Sequence, residues 1–183
     1  IIVWAAGNGG TSDRLDYDPY ASSRFTCAIG SVGNHDTRAS YNETGSSMLA
    51  VTQSSGNSRY IYTTTSGGGY TSSFGGTSSA SPLAAGVIAL MLQANPNLTW
   101  RDVQHIIVNS ARQCDASQHE WVVNGAGHLV NYNYGFGALD AEAAVNLALT
   151  WTPVGSEVVV DSGVVNVDVT LPDDDAVGET RTL

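Results

Sequence analysis

The stretch that decides the fold runs from Tyr70 to Ala94, and its centre reads Gly76-Thr77-Ser78-Ser79-Ala80-Ser81-Pro82. The chain continues as Leu83-Ala84-Ala85-Gly86-Val87-Ile88-Ala89-Leu90-Met91-Leu92-Gln93-Ala94, which is apolar on nearly every side of a helix. Helices of that kind are typical of the interior of a large core. The pattern predicts a buried helix that starts with a serine. Pro82 is expected to be tolerated because a proline near the first turn loses little hydrogen bonding.

A serine at the start of a buried helix has two interpretations. Backbone N–H groups at a helix N-terminus are unpaired and favour negative charge. A serine hydroxyl there can therefore act as a nucleophile, while the oxyanion that it creates is stabilised nearby. Gly76-Thr77-Ser78-Ser79 is equally an ordinary turn followed by a helix N-cap. The local residues leave both interpretations open.

The spacing Gly76-Thr77-Ser78-x-x-x-Pro82, followed by small residues and the apolar helix, resembles the nucleophile motif of the subtilisin-like serine proteases. The resemblance implies that Ser78 is the catalytic serine and that Ser79 and Ser81 occupy variable positions. It also implies an α/β domain with the three-layer subtilisin-like fold and a mostly parallel sheet. These residues would form the C-terminal half of that domain.

A second segment of interest begins with the apolar run Ile1 to Ala6, which ends in Gly7-Asn8-Gly9-Gly10. Such a run predicts a buried parallel strand, and ligands of open α/β sheets bind beyond the carboxyl ends of the strands. Taken alone, Asn8-Gly9 is best interpreted as a turn. The whole segment, however, resembles the one that carries the oxyanion-hole asparagine of the subtilisin-like family, and this implies that role for Asn8.

The segment Ser40-Tyr41-Asn42-Glu43-Thr44-Gly45-Ser46 resembles the kexin/furin branch of the same family. In that branch, acidic residues of two loops build a calcium site beneath the S1 pocket and help to bind a basic P1 side chain. The resemblance implies Asp13 and Glu43 as calcium ligands and Asp18 as an acidic residue of the S1 pocket.

This assignment of the acidic residues has alternatives. The first loop is one residue shorter than the family pattern, so Asp16 is a candidate to replace Asp13 or Asp18. Calcium takes six to eight oxygen ligands, so two carboxylates alone are not a site, and at least one further ligand is expected before Ile1. The other interpretation is a set of unrelated solvated acids.

The remaining elements follow from local patterns. Thr99 with Asp102 predicts a capping box and a helix to about Ala111, with His105 on that helix in a structural role. The expected strands are Phe25–Val32, Met48–Val51 and Tyr60–Thr65, followed later by a hairpin over Trp121–Val130 and a helix through Leu149. The segments near Thr99, in the hairpin and around Asp140 also resemble the kexin/furin branch.

The composition changes near Trp151, where β-branched runs such as Val158-Val159-Val160 and Val164–Leu171 begin. We therefore expect the peptidase domain to occupy residues 1–150. Residues 151–183 are expected to hold a linker and the start of a β-sandwich that resembles the P domain of the kexin type. Another β module is the alternative.

Charge and composition limit the function. The net charge of −10 argues against nucleic acids and anionic membranes as partners and fits basic protein or peptide substrates. No apolar run reaches the length of a membrane span. The spacing of Cys27 and Cys114 matches no metal-binding or redox motif, and the sequence does not determine whether the two form a disulfide. The resemblance further implies a secreted or extracytoplasmic protein, and we expect a monomer.

A serine protease also needs a base oriented by a carboxylate. The histidines lie at His35, His105, His119 and His128, and none stands in a His-Gly-Thr context. In subtilisin-type enzymes the order is Asp, His, Ser, so we expect both partners upstream of Ile1 in a longer chain. The isolated piece is accordingly expected to fold poorly.

Two rival functions remain open. Gly76-Thr77-Ser78-Ser79-Ala80 is close to the Gly-x-Ser-x-Gly elbow of the α/β-hydrolases, for which His119 or His128 would follow the serine. The missing second glycine, Pro82 and the Asn8 segment argue against it. The other rival is an inactive homologue that binds peptides or serves as structure.

Overall fold

The computed structural model describes residues 1–160 of the 183-residue chain. A three-stranded parallel sheet forms its centre, with the strands in the order β1 (Ile2–Ala5), β2 (Thr26–Val32) and β3 (Met48–Gln53). The sequence-based prediction of a mostly parallel sheet is thus confirmed. Because all three strands run in one direction, their carboxyl ends meet at the same edge, and the loops that follow them lie there together.

Two antiparallel hairpins accompany the sheet. The first pairs β4 (Ile61–Thr64) with β5 (Tyr70–Phe74), and the second pairs β6 (Val122–Val123) with β7 (Leu129–Val130). The second was predicted. The strand β5 has no counterpart among the expected strands, because Tyr70–Phe74 is rich in serine and threonine and follows three glycines.

The helices are α1 (Thr77–Ala94), α2 (Trp100–Ser110) and α3 (Ala141–Thr150), and α1 packs on all three strands of the parallel sheet. One face of the sheet contributes Cys27, Ile29 and Ala50 to a core shared with these helices. The opposite face is covered by loops and by a 3-10 turn at Leu15–Tyr17. The parallel sheet therefore lies between a helical layer and a layer of loops.

The helix α1 differs from its prediction in two ways. Only one side is buried, whereas the other exposes apolar side chains, with Leu83 at 41% and Leu90 at 50% exposure. The helix also begins at Thr77, so that Pro82 is its sixth residue rather than part of the first turn. A proline there has no N–H to donate, which leaves the Ser78 carbonyl without its i+4 partner.

The expectation that no apolar run reaches the length of a membrane span is wrong for α1, which is the single helix within residues 1–160 long and apolar enough to cross a membrane. Its buried side nevertheless packs on the sheet through residues such as Ala84, Val87 and Met91. The packing identifies α1 as the core helix of this domain.

The helix α2 begins with the predicted capping box. The Thr99 hydroxyl accepts from the Asp102 N–H, and Asp102 Oδ2 accepts from the Thr99 N–H at 2.7 Å. The other carboxylate oxygen of Asp102 accepts from Trp151 Nε1 at 2.9 Å and from the Val154 N–H at 2.7 Å. One buried carboxylate thus joins the start of α2 to the segment that follows α3.

The segment after α3 has no strand within the described residues 151–160, so the β pattern expected at Val158–Val160 is not formed there. The rest of the expected β module, Val164–Leu171 included, lies outside the described residues. Cys27 and Cys114 are free and buried in different clusters, one on each face of the sheet. Burial raises the pKa of Cys27 to about 11 and that of Cys114 to about 12, so both are inert core thiols.

Candidate active site

Ser78 is the second residue of α1 and is exposed, although Thr77 before it and Ser79 after it are buried. Gly76 supplies the helix cap with φ +79°, a backbone conformation that glycine adopts without strain. The first-turn amides of a helix have no intrahelical acceptor. The Thr77 N–H donates to Asn8 Oδ1 and the Ser79 N–H to the Gly76 carbonyl, whereas the Ser78 N–H has no partner within residues 1–160. The serine hydroxyl is therefore presented to solvent beside its own unpaired backbone N–H group.

Asn8 lies next to this helix start. It follows β1, and its Oδ1 accepts from the Thr77 N–H at 2.9 Å and from Thr77 Oγ1 at 3.1 Å. Thr77 Oγ1 also accepts from the Gly7 N–H at 3.2 Å. Because both contacts to Asn8 use its oxygen, the amide NH₂ group is left as a donor beside the N-terminus of α1.

A hydroxyl network supports the Gly76 turn from below. Ser54 Oγ donates to the Gly76 carbonyl at 2.7 Å and lies 2.6 Å from Ser79 Oγ. The Tyr41 hydroxyl donates to the Ser55 carbonyl at 2.7 Å. The sequence analysis did not predict this network. Its signal was the polar run Ser54-Ser55-Gly56 directly after β3, because a buried strand does not require polar residues at its end. The network fixes the turn that presents Ser78.

The two predicted calcium ligands, Asp13 and Glu43, lie close together behind Asn8. Glu43 Oε1 accepts from the Gly9 N–H at 2.8 Å, and Glu43 itself is 8% exposed. A Cβ placed on Gly9 would lie 2.4 Å from Asp13 Cβ and 3.1 Å from Glu43 Oε1, so the two acids flank the same glycine. Within residues 1–160, however, no group of three or more His, Cys, Asp or Glu side chains is placed to hold a metal ion.

Asp18 lies elsewhere, against β1. Its carboxylate accepts from Tyr20 N–H at 2.7 Å, from Trp4 Nε1 at 3.1 Å and from Ala21 N–H at 3.3 Å. Burial alone would raise the pKa of Asp18, but these hydrogen bonds outweigh it and hold the pKa below its ordinary value. The group is therefore a carboxylate at neutral pH.

Asp16, the alternative to Asp13 and Asp18, makes contacts of a different kind. Its carboxylate accepts from Arg14, from the hydroxyls of Ser46 and Ser47 and from the Tyr132 hydroxyl. These contacts join the 3-10 turn to two other loops.

None of the four histidines, all of which lie within residues 1–160, is hydrogen-bonded to Ser78. His105 stacks on Trp151, with ring centroids 6.4 Å apart, which agrees with its predicted structural role. His128 meets Phe136, whose N–H donates to the Leu49 carbonyl at the start of β3. Ser78 lies near the other end of β3. At a rise of about 3.3 Å per residue, the length of this strand separates Ser78 from Phe136 and His128 by roughly 17 Å. This placement argues against a hydrolase elbow that uses His128.

The fold and site define a class of protein. The profile of the Subtilase family, Peptidase_S8, matches residues 1–137. The structure of a serine protease of Aeromonas sobria superposes with a TM-score of 0.77 at 22% identity, over 84% of this chain and 37% of that one. The chain belongs to the subtilase family of serine peptidases.

Similarity to individual relatives identifies the branch of the subtilase family. Furin-1 of Xenopus laevis is 45% identical over 160 residues, which is 86% of this chain and 20% of that protein. Kexin of Saccharomyces cerevisiae is 42% identical over 159 residues, with the same two coverages. These similarities place the chain in the kexin/furin branch of the family. The chain spans about a fifth of the length of these curated relatives.

Proposed function

We propose that the chain is the nucleophile-bearing part of a serine endopeptidase that cleaves after Arg or Lys. The observation that carries this proposal is the pairing of Asn8 with Thr77. It brings a side-chain amide donor next to the N-terminus of α1, where Ser78 is exposed. Acyl transfer needs that combination of a nucleophile and two converging donors.

In the proposed reaction, Ser78 Oγ attacks the peptide carbonyl. A histidine outside these residues takes the hydroxyl proton and is oriented by an aspartate that also lies outside them. The negative charge that develops on the carbonyl oxygen is stabilised by Asn8 Nδ2 and by the Ser78 N–H. Both donors are held before substrate binds, Asn8 through Thr77 and the serine through the Gly76 turn, so neither has to reorganise during the reaction.

The preference for a basic P1 side chain is supported by charge. Asp18 is a carboxylate near the carboxyl end of β1, and the whole chain carries a net charge of −10. The names furin and kexin among the relatives point in the same direction. We assign Asp18 to the S1 pocket on these grounds.

Calcium is the cofactor that the branch implies, and the donor chemistry of Asp13 and Glu43 fits it in part. The Glu43 carboxylate and the Asp13 side chain flank Gly9, but calcium requires six to eight oxygen atoms, so other parts of the protein have to complete the site. Bound calcium would supply positive charge that holds the two loops together behind Asn8. We further propose that the protein acts outside the cytoplasm as a monomer.

The experiment compares Ser78→Ala with Ser81→Ala in the full-length protein, using peptides with Arg or Leu at P1. We expect Ser78→Ala to lower kcat by roughly 10³-fold or more, because the nucleophile is lost, while Ser81→Ala stays close to wild type. Covalent labelling of Ser78 by a fluorophosphonate, detected by mass spectrometry, is the second measurement. Activity that survives Ser78→Ala would overturn the proposal. A full-length wild-type protein that neither cleaves peptides nor takes the label would identify an inactive homologue.

A further inference from the structure

The backbone of Tyr41 lies against the loop that carries Asn8. The Tyr41 carbonyl accepts from the Gly10 N–H at 2.8 Å, two residues after Asn8. The neighbouring Gly9 N–H donates at 2.8 Å to Glu43, which stands two residues after Tyr41. This short segment thus holds both amides that follow Asn8, and it fixes the path of the loop from one side.

The side chain of Tyr41 contacts the two serines beneath the turn that presents Ser78. Its hydroxyl donates to the Ser55 carbonyl at 2.7 Å and lies 2.9 Å from Ser54 Oγ and 3.0 Å from Ser55 Oγ. Because a phenol has one proton to donate, the Ser55 hydroxyl is the donor in the last of these contacts. Ser54 and Ser55 are 4% and 8% exposed, so these hydrogen bonds are shielded from solvent.

Both serines hold the backbone of Gly76. Ser54 Oγ donates to the Gly76 carbonyl at 2.7 Å, and Ser55 Oγ accepts from the Gly76 N–H at 3.4 Å. The turn also lies directly on Ser55, because a Cβ placed on Gly75 would overlap Ser55 Oγ. A displacement of either hydroxyl would therefore move the turn that leads into Ser78.

We propose that Tyr41 is a positioning residue for the peptidase reaction, and this inference rests on the proposed function. Its carbonyl holds the loop of Asn8, and its hydroxyl holds the two serines under the turn of Ser78. One residue therefore sets the spacing between the amide donor and the nucleophile. The reaction is sensitive to that spacing, because a misplacement of about 1 Å can cost roughly 10²-fold in rate. Tyr41 itself does not touch the reacting atoms and transfers no proton.

Steady-state kinetics of Tyr41→Phe in the full-length protein, measured on an Arg peptide, test the inference. The variant removes the hydroxyl but keeps the ring and the carbonyl that accepts from Gly10. We expect kcat to fall by roughly 10–100-fold while KM stays within about twofold, because substrate still binds but the reacting groups are misaligned. The matched control is Tyr62→Phe, at a residue that is 69% exposed, and it should retain wild-type kinetics. A wild-type kcat in Tyr41→Phe would overturn the inference.

A double-mutant cycle shows whether Tyr41 acts through the serines. In a Ser54→Ala background, Tyr41→Phe should cause a kcat loss at least about threefold smaller than in the wild type, because one group that Tyr41 holds is already gone. Losses that multiply in full would refute this route. Ser55→Ala, which removes the hydroxyl between Tyr41 and Gly76, is an independent variant and should show the same split between kcat and KM.

Hydrogen exchange distinguishes a failure of this inference from a failure of the proposed function, because it needs no activity. The Gly76 N–H should exchange at least about fivefold faster in Tyr41→Phe than in the wild type, since Ser55 loses its anchor. An unchanged exchange rate would overturn the inference even where Ser78→Ala confirms the protease reaction. Faster exchange with a wild-type kcat would overturn it as well, because the hydroxyl would then stabilise the turn without affecting the chemistry. A full-length wild type that cleaves no peptide would refute the proposed function, and the role of Tyr41 would fall with it.

Discussion

The oxygen and the NH₂ group of the Asn8 side-chain amide have different roles. Oδ1 is held by the backbone and hydroxyl of Thr77, and the NH₂ end is left toward the space in front of Ser78. The two glycines beside Asn8 leave room for the acid behind it. A Cβ on Gly7 would lie within 2.5 Å of the Glu43 carboxylate, and Gly7 has φ +106°. The orientation of Asn8 is thus fixed by its neighbours rather than by its own backbone.

This division leads to a prediction for Asn8→Asp. The variant keeps an oxygen for Thr77 but replaces the donor by a second acceptor with negative charge, which would repel the developing oxyanion. We expect kcat to fall by at least about 10²–10³-fold in the full-length protein, with KM little changed. Steady-state kinetics on an Arg peptide measure this effect.

The matched control for Asn8→Asp is Thr77→Ser, which keeps the hydroxyl that contacts Asn8 and should stay within a few-fold of wild type. A variant Asn8→Asp with wild-type kcat would show that Asn8 is not the oxyanion donor. A loss in both variants would instead show that the turn had been disturbed.

Among the elements, α2 depends most on one residue. Asp102 is fully buried and accepts from Thr99 through one oxygen and from Trp151 and Val154 through the other. Burial alone would raise the pKa of Asp102, but these hydrogen bonds outweigh it and lower the pKa to about 2. The folded form thus prefers the ionised carboxylate more strongly than the unfolded chain does.

The second prediction concerns the pH dependence of this contact. Because the folded pKa lies below the unfolded value of about 3.9, the stability that Asp102 contributes is present above about pH 4. It is lost as the pH falls toward about 2. Asp102→Asn should remove this acid-dependent loss and should lower the free energy of unfolding at pH 7 by about 1–3 kcal/mol. The reason is that an NH₂ group would then face the donors of Thr99. Urea titrations between pH 2 and pH 7 measure both effects.

The control for Asp102 is Asp140→Asn, because Asp140 caps α3 by accepting from the Ala143 N–H at 2.9 Å, and asparagine caps about as well as aspartate. It should change stability little at pH 7. An equal loss in both variants would contradict the special role of Asp102.

Elements with strong local patterns could be predicted from the sequence. The capping box of α2 and the parallel strands follow from residues close in the chain. The strand β5 was missed because Tyr70–Phe74 is rich in serine and threonine and follows three glycines, so its pairing with β4 overrides its local composition. The contact of Trp151 with Asp102 joins residues 49 positions apart, and local patterns do not contain that information.

The candidate site was predictable to a similar degree. Ser78 and Asn8 were proposed from their motifs, whereas the hydrogen bond from Thr77 to Asn8 that brings their segments together could not be predicted. The one-sided burial of α1 was also not predicted. An apolar helix sequence does not reveal which of its faces pack against other parts of this chain.

On the surface of the molecule, the outer side of α1 exposes several apolar residues. Leu83 and Leu90 are exposed on it together with Pro82, Ala89 and Gly86, whose added Cβ would meet nothing within 4 Å. The Aeromonas sobria protease is longer, since this chain covers 37% of it. We expect the remaining part of a subtilase domain to cover this surface.

The third prediction follows from that surface. The 183-residue chain alone should self-associate, and Leu90→Glu should increase its soluble fraction, because the substitution places a charge in an exposed apolar patch. The same substitution should destabilise the full-length protein by burying that charge. Sedimentation of the isolated chain and thermal melts of the full-length protein measure the two opposite effects.

The control for Leu90→Glu is Gln93→Glu, which adds the same charge on the exposed side of α1 without removing apolar area. It should leave self-association nearly unchanged. Equal solubility gains from both variants would attribute the effect to net charge rather than to the apolar face.

The double use of Asp102 has a consequence for building chimeric proteins. A fusion junction at residue 151 would remove Trp151 and Val154 and would leave Asp102 Oδ1 buried without either donor. A junction placed after Gly155 would keep both donors, together with the contact from Arg101 to the Gly155 carbonyl at 2.8 Å. A fusion junction should therefore lie several residues beyond the end of α3.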